Sequence, residues 1–307
     1  MSKPLQETLR EGVLAFPATP FTADLALDRE ALGRHVADLA RARPIALVPA
    51  GGAGELFSLS PEEHDRVVRA TVENAADIPV IAGVGFGLPV AVAMARAAER
   101  AGAAGILLLP PYLITPDQAG LRAYAEAVCR AVGIGVIVYS RDNGVFAPET
   151  VARLAATCPN LVGLKDGTGD FEALGTMKRD LGERLVLING VPTAEILARQ
   201  CFAMGIRAYS SAVYSFLPGL ASAFFRAVRD RDDPMATRIM DEFYLPLVRL
   251  RARRRGYAVS IIKAGLRVVG RPAGPVRPPL LDLEPAEEDE LRALVARAGS
   301  IVTERIP

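Results

Sequence analysis

The 307-residue sequence is short of the residue types that build most metal centres and disulfide frameworks. Its three cysteines, Cys129, Cys158 and Cys201, lie far apart and show no Cys-x-x-Cys spacing. Only two histidines are present, His35 and His64. These counts argue against a disulfide framework, a structural zinc site and a histidine-dependent catalytic triad, and they are typical of a reducing compartment.

A strong charge imbalance and long apolar runs are missing as well. The formal net charge of +1 gives no overall attraction to nucleic acid or to an anionic membrane. No apolar run reaches the roughly 18 residues that can span a bilayer, and the first residues contain no apolar signal segment. We therefore expect a cytoplasmic protein that binds neither nucleic acid nor membranes.

The local exception to this neutrality is a short run of arginines near residue 250. Five of them follow closely on one another: Arg249, Arg251, Arg253, Arg254 and Arg255. In a nearly neutral chain, such a run indicates a solvated helix face or a subunit contact more often than a nucleic-acid site.

What the sequence does contain is a regular alternation of apolar and helical segments. Half of the residues are hydrophobic, enough to bury a substantial core. Short apolar runs bounded by turn residues predict strands, and the periodic stretches between them predict helices. The predicted strands are 12–17, 45–49, 79–82, 105–109, 135–139, 161–165, 185–189 and 207–210. The predicted helices begin near residues 28, 61, 89, 116, 148, 171, 193 and 217.

Eight strand–helix units within about 220 residues predict an α/β fold, a (β/α)8 TIM barrel. Several strands are almost entirely apolar, as parallel strands covered on both faces are. A doubly wound open sheet is the main competing fold, but it rarely needs eight regular repeats. After about residue 231 the pattern becomes helical, so we divide the chain into a barrel at 1–230 and a C-terminal helical extension at 231–307.

A lysine at the end of the sixth predicted strand is the first candidate for chemistry. The chain has only four lysines, at positions 3, 165, 178 and 263, although it has 36 lysines and arginines together. Burial of an ammonium is costly, so Lys165 needs either a salt partner such as Asp166 or a function as a neutral amine. This stretch alone leaves both possibilities open.

The strand ends of a barrel share one face, which allows other candidates to be placed beside Lys165. Tyr139 ends the fifth strand, and a phenol there can shuttle protons during attack of an amine on a carbonyl. The glycine-rich loop 51–55 follows the second strand and can offer backbone N–H groups to a carboxylate. Together these features indicate Schiff-base chemistry on a 2-oxo acid.

The same motifs resemble those of the dihydrodipicolinate synthase / N-acetylneuraminate lyase superfamily over nearly the whole chain. The matching segments are the Gly-x-x-Gly-Glu motif at 51–55, the tyrosine motif at 139 and the Gly-Leu-Lys-Asp motif at 163–166. Within the superfamily the sequence is most similar to the 5-dehydro-4-deoxyglucarate dehydratases, through segments 110–113, 139–143, 165–170 and 209–213. Three residues depart from the superfamily pattern. Gly52 and Ala53 replace two loop threonines, and Leu113 replaces a tyrosine that synthases present to a neighbouring subunit.

The resemblance implies an enzyme that dehydrates and decarboxylates a small 2-oxo-3-deoxy aldarate, without a metal or organic cofactor. Lys165 would form the Schiff base and Tyr139 would act as acid and base. Backbone groups of Gly52 and Ala53 would bind the keto-acid carboxylate. The remaining candidates for substrate contact are Asn189, Ser210 and Ser211. The resemblance also implies a homo-oligomer, a tetramer or a dimer.

Three other functions remain as alternatives. A 2-oxo-3-deoxy sugar-acid aldolase would share Lys165 and Tyr139 and differ in the distal part of its pocket. A catalytically silent barrel could serve as a ligand-binding regulator. The Gly-Val-Gly-Phe-Gly segment at 83–87 suggests a dinucleotide-binding turn, but it lacks the full Gly-x-Gly-x-x-Gly spacing, so a tight barrel turn is favoured.

Overall fold

The fold is a closed ring of parallel strands surrounded by helices, seen in a computed structural model that describes residues 2–303, with side chains for residues 5–301. Eight strands form one sheet in the order β2-β1-β8-β7-β6-β5-β4-β3. A parallel bridge between Leu47 and Val80 joins the two ends of this sheet. The predicted (β/α)8 TIM barrel with a C-terminal helical extension is confirmed.

The elements follow one another in strict alternation until residue 229. The strands are β1 Glu11–Ala15, β2 Ala46–Leu47, β3 Ile81–Val84, β4 Gly105–Leu108, β5 Gly135–Ser140, β6 Leu161–Asp166, β7 Val186–Asn189 and β8 Arg207–Ser211. The helices are α1 Ser2–Thr8, α2 Arg29–Arg41, α3 Pro61–Asn74, α4 Leu88–Arg100, α5 Gln118–Ala131, α6 Pro148–Thr157, α7 Phe171–Leu181, α8 Ala198–Ala203, α9 Pro218–Arg229, α10 Asp233–Ile239, α11 Leu245–Arg251, α12 Tyr257–Val268 and α13 Pro285–Thr303.

Apolar side chains fill both the inside of the barrel and the layer between strands and helices. Inward-facing residues such as Ile81, Leu107 and Ile137 form one buried cluster, together with Leu5 and Leu9 at the start of the chain. A much larger cluster lies between the outer face of the strands and the helices. Because both faces of each strand are covered, the strands are nearly continuous apolar runs, as predicted.

Side-chain caps lie at two of the helix starts, close to the predicted positions 28 and 61. The Asp28 carboxylate accepts a hydrogen bond from the Ala31 N–H at the start of α2. Ser60 and Glu63 form the reciprocal capping box that opens α3. Each cap satisfies N–H groups that have no partner inside the helix, so these boundaries depend on short-range chemistry that a sequence displays.

Two predicted helices are interrupted. The helix expected at 193–204 is a 3-10 turn, Ala194–Leu197, followed by the short α8, and Thr193 before it has a left-handed φ of 56°. In the predicted helical part after residue 231, a π-helical segment, Met240–Tyr244, interrupts the first helix, which ends at Arg251. Pro246 follows this segment, and because proline lacks an N–H and crowds the preceding turn, the regular helical hydrogen bonds cannot continue through it.

The glycine-rich segment 83–87 is the end of β3 and the turn into α4. A Cβ atom at Gly83 would lie 2.1 Å from the Ala50 carbonyl oxygen, so contact between neighbouring strand ends requires this glycine. Gly87 is the N-cap residue of α4. Strand packing therefore accounts for this glycine pattern.

The cysteines and the helix lengths add two simple findings. Cys129, Cys158 and Cys201 are all free and buried. Within the part of the chain that the structure describes, no helix has the length and apolarity needed to cross a bilayer.

Candidate active site

A cavity of about 310 Å³ opens at the carboxyl ends of the strands, where barrel enzymes place their chemistry. Its polar lining comes mainly from strand ends and the loops after them: Gly52, Ala53, Tyr139, Arg141, Lys165, Gly190, Glu195 and Ser210, with Arg251 from the C-terminal helices. Its apolar wall includes Phe216, Leu247, Val259 and Ile262. The C-terminal extension therefore completes the site that the barrel begins.

Strand register brings Lys165 and Tyr139 side by side. The two residues are direct partners in the β5–β6 pair, and a register shift between Val136 and Ile137 precedes them in β5. The Lys165 Nζ lies 3.5 Å from the centre of the Tyr139 ring and 5.5 Å from that of Phe16. The predicted adjacency of amine and phenol is present.

The Lys165 amine is buried without a carboxylate partner among the described residues. Lys165 is 4% exposed, and its Nζ donates a hydrogen bond of 3.2 Å to the Gly190 carbonyl. Burial lowers the pKa of Lys165, an effect that the neighbouring Tyr139 phenol opposes. The site therefore favours the neutral, nucleophilic form of the amine.

The Tyr139 hydroxyl lies between a hydrogen-bond acceptor and a cation. It donates to the Gly190 carbonyl at 2.8 Å and accepts from the Arg141 guanidinium at 3.1 Å. Burial alone would raise the pKa of Tyr139, but the positive charges of Lys165 and Arg141 outweigh burial and lower it. The pKa values of Lys165 and Tyr139 are both shifted toward neutral pH, which suits exchange of a proton between the two groups.

Asp166 does not neutralise the lysine. Its carboxylate accepts hydrogen bonds from the backbone N–H and hydroxyl of Thr168 and from the Gly169 N–H. Adjacent strand residues point to opposite faces, so Asp166 faces away from the amine and braces the turn after β6. An ion pair between Lys165 and Asp166 is therefore excluded.

The glycine-rich loop presents unoccupied donors to the cavity. Gly52 and Ala53 line it, and their backbone N–H groups donate to no other group within the described chain. Glu55 holds the end of this loop in a left-handed conformation, with φ 55°. Its carboxylate lies 2.8 Å from the Lys263 ammonium and accepts the Arg277 N–H.

The three other predicted substrate contacts have different environments. Ser210 lines the cavity. The Asn189 amide instead donates to the Ala194 carbonyl, and the Ser211 hydroxyl donates to Glu195 at 2.5 Å and accepts the Tyr214 N–H. Asn189 and Ser211 therefore support the loops after β7 and β8 and are not among the residues that line the cavity, and their direct contact with substrate stays a prediction.

Sequence reasoning assigned no function to four residues that the structure places here: Arg141, Gly190, Glu195 and Arg251. The only sequence signals were the position of Arg141 two residues after Tyr139 and of Gly190 immediately after β7. Glu195 and Arg251 had no such signal, because a turn after β7 and a distant helix bring them in. No group of three potential metal ligands occurs among residues of the described chain.

Comparison with known proteins agrees with this geometry. The dihydrodipicolinate synthetase family matches residues 9–298. A protein of Saccharopolyspora erythraea named "Probable 5-dehydro-4-deoxyglucarate dehydratase" is 52% identical over 290 residues, covering 94% of each chain. A protein of the same name from Bradyrhizobium diazoefficiens is 49% identical, over 97% of this chain and 95% of that one.

A solved structure shows the same fold at lower identity. Dihydrodipicolinate synthase from Bacillus clausii superposes with a TM-score of 0.87 at 26% identity, over 96% of this chain and 99% of that one. The chain therefore belongs to the dihydrodipicolinate synthetase family.

Proposed function

We propose that this chain is a Schiff-base lyase that converts 5-dehydro-4-deoxyglucarate into 2,5-dioxopentanoate, CO2 and water. The observation that carries the proposal is the buried Lys165 amine, which has no carboxylate partner in the described chain and lies against Tyr139. The names of relatives about half identical over nearly the full length support this choice of substrate.

One electron sink serves both bond-breaking steps. Lys165 condenses with the keto carbon and releases water, and the resulting iminium acidifies the neighbouring methylene. Loss of a proton gives an enamine, which expels the hydroxyl one carbon further along as a second water. The conjugated iminium then accepts the electron pair released when the distal carboxylate leaves as CO2. Hydrolysis consumes one water and frees the product, so the net release is one CO2 and one water.

The site residues take separate parts in this sequence. Tyr139 can carry protons to and from the substrate, because its hydroxyl touches both the Gly190 carbonyl and Arg141. The N–H groups of Gly52 and Ala53 can receive the carboxylate beside the keto group. Ser210, which lines the cavity, can bind a substrate hydroxyl.

The test is covalent trapping. With wild-type protein, 5-dehydro-4-deoxyglucarate and borohydride should yield a reduced adduct at Lys165, located by mass spectrometry, and substrate alone should yield CO2. Lys165→Ala should lose both, with turnover reduced by at least about 10⁴-fold. Lys178→Ala is the matched control, since that lysine forms a surface ion pair with Glu183. Normal turnover by the Lys165 variant would refute the mechanism.

The alternatives give different results in the same assay. A 2-oxo-3-deoxy sugar-acid aldolase would release pyruvate and no CO2. A ligand-binding regulator would release neither and would form no borohydride adduct. Product analysis of a single reaction mixture therefore distinguishes all three functions.

Domain division and assembly are also proposed. We place the barrel at 1–230 and the helical extension at 231–307, a division supported by the end of α9 at Arg229.

We further propose a homo-oligomer, a tetramer or a dimer, in the cytoplasm. An exposed apolar patch on the loop after β4 supports assembly, because Tyr112, Leu113 and Ile114 are 64%, 81% and 63% exposed.

A further inference from the structure

Arg251 differs from the other arginines of its run. Arg253 and Arg254 form ion pairs with Glu290 and Glu284, at 2.8 Å and 3.1 Å, on the surface of the C-terminal helices. Arg251 is half-buried, lines the cavity, and its guanidinium donates to the Thr193 hydroxyl. The predicted solvated face or subunit contact therefore does not describe Arg251.

Arg251 interacts electrostatically with Glu195 but forms no ion pair with a carboxylate of the described chain. In contrast, Arg141, the other arginine at the cavity, pairs with Asp142 at 2.7 Å. The one carboxyl group lining the cavity is Glu195. Burial raises the pKa of Glu195, an effect that the positive charge of Arg251 partly opposes.

Glu195 is a second polar group of this cavity, close enough to Arg251 for their charges to interact. It is 1% exposed and lines the cavity, yet its Oε2 atom has no hydrogen-bond partner in the described structure. Its other oxygen accepts the Ser211 hydroxyl. Buried polar atoms are nearly always hydrogen-bonded, and the buried Tyr244 hydroxyl is near enough to lower the pKa of Glu195. The feature that indicates an anionic ligand group is therefore the Arg251 guanidinium, which lines the cavity and has no ion pair in the described chain.

Building on the proposed function, we propose that Arg251 is a specificity residue that receives the distal carboxylate of a dicarboxylate substrate, with Glu195 beside it as a second hydrogen-bonding partner. Lys165 and the loop N–H groups engage the keto-acid end, and Arg251 enters the cavity from the C-terminal helices. The site thereby recognises both ends of the substrate. It prefers an aldarate to an aldonate, whose distal end is a neutral alcohol.

Arg251 should act mainly on binding. An ion pair stabilises the carboxylate before it leaves, and because this charge is lost as CO2 forms, the interaction lowers KM without raising kcat. Release of CO2 from such a pair is assisted by the apolar wall of Leu247, Val259 and Ile262, which limits solvation of the carboxylate. We therefore expect the loss on substitution to appear in KM more than in kcat.

The experiment compares three ligands with and without Arg251. Borohydride trapping at Lys165 is titrated with 5-dehydro-4-deoxyglucarate, with the 2-oxo-3-deoxy aldonate of equal length, and with pyruvate, which has no distal end. In Arg251→Ala, the aldarate concentration for half-maximal trapping should rise roughly 10- to 100-fold, the range of a charge-assisted hydrogen bond. The values for aldonate and pyruvate should change less than about threefold.

Two further variants make the outcome decisive. Arg251→Gln keeps a donor for Thr193 but removes the charge, and it should lose the aldarate preference as the alanine variant does. Arg249→Ala, an exposed arginine on the same helix, should behave as wild type. Equal losses for aldarate and pyruvate would show a structural role and overturn the proposal, as would an unchanged aldarate titration. Failure of the proposed function looks different, because wild-type protein would then form no adduct or release no CO2.

Discussion

At the scale of single residues, the reactive lysine differs from the structural one in being buried without a carboxylate that compensates its charge. Lys263 is fully buried, like Lys165, but its ammonium lies 2.8 Å from the Glu55 carboxylate, donates to the Pro275 carbonyl and contacts the Phe21 ring. Lys165 has a carbonyl and an aromatic face in place of a carboxylate. Burial lowers the pKa of both lysines, but only Lys263 has a carboxylate that stabilises its charged form, so Lys165 is the better candidate for a neutral, nucleophilic amine.

Arg141 should control the pH dependence of the site. Its positive charge lowers the pKa of both Tyr139 and Lys165, so both pKa values should rise in Arg141→Ala. The fraction of neutral amine at pH 7 then falls, and we expect kcat/KM there to drop about 10- to 100-fold. The loss should partly recover at higher pH, which a profile of CO2 release between about pH 6 and 10 would measure.

Arg141→Lys serves as the control for this prediction. It retains a positive charge near the phenol and should keep the acid limb of the profile close to that of wild type, despite losing the planar guanidinium. An alanine variant whose profile keeps its wild-type midpoints would contradict the electrostatic role of Arg141.

At the scale of elements, the approach of β7 to β6 positions the amine. The Gly190 carbonyl, one residue beyond β7, accepts hydrogen bonds from both Lys165 and Tyr139. A Cβ atom at Gly190 would lie 2.5 Å from Lys165 Cγ and 2.6 Å from Nζ. No side chain fits this place without moving the lysine, so the glycine is a requirement of the site and not of the turn alone.

Gly190→Ala should therefore disable trapping while leaving the barrel folded. We expect adduct formation at Lys165 to slow by about 100-fold or more, since a displacement of about 1 Å can have this effect. The measurement is the rate of borohydride trapping, with circular dichroism to monitor folding. Gly219→Ala is the matched control, because nothing lies within 4 Å of a Cβ atom there. Wild-type trapping by the Gly190 variant would show that the lysine has room to adjust.

At the scale of the whole molecule, the C-terminal helices are tied to the barrel through a buried ion pair. Lys263 on α12 meets Glu55 at the end of the glycine-rich loop, and both side chains are fully buried. Arg277, after α12, binds Glu63 at the start of α3 with a 2.6 Å ion pair. The extension thus fixes the loop whose N–H groups face the cavity, and it also supplies Arg251.

Loss of one partner of the buried pair should destabilise the protein strongly. In Lys263→Met, the Glu55 carboxylate stays buried without its counter-ion, and we expect the free energy of unfolding to fall by about 3–5 kcal/mol. Urea denaturation followed by circular dichroism would measure the change. The double variant Lys263→Met with Glu55→Gln removes both charges and should regain part of the loss. A single variant within about 1 kcal/mol of wild type would contradict this account.

The sequence by itself determined the barrel and its central pair of residues. Strand and helix periods, N-caps such as Asp28 and Ser60, and the count of eight units are local features, so they can be read before folding. Lys165 and Tyr139 could be predicted for the same reason. Each of them lies at the end of its own strand, and all parallel strands of a barrel end on one face.

Only the tertiary structure decided what surrounds that pair. The inward direction of Ser210 and the outward direction of Asn189 and Ser211 depend on strand phase, which a shift of one residue reverses. Arg251 and Glu195 reach the cavity through packing of segments distant in sequence, and the pKa shifts arise from burial and from the charges gathered there. These are long-range effects, which no short stretch of the chain can encode.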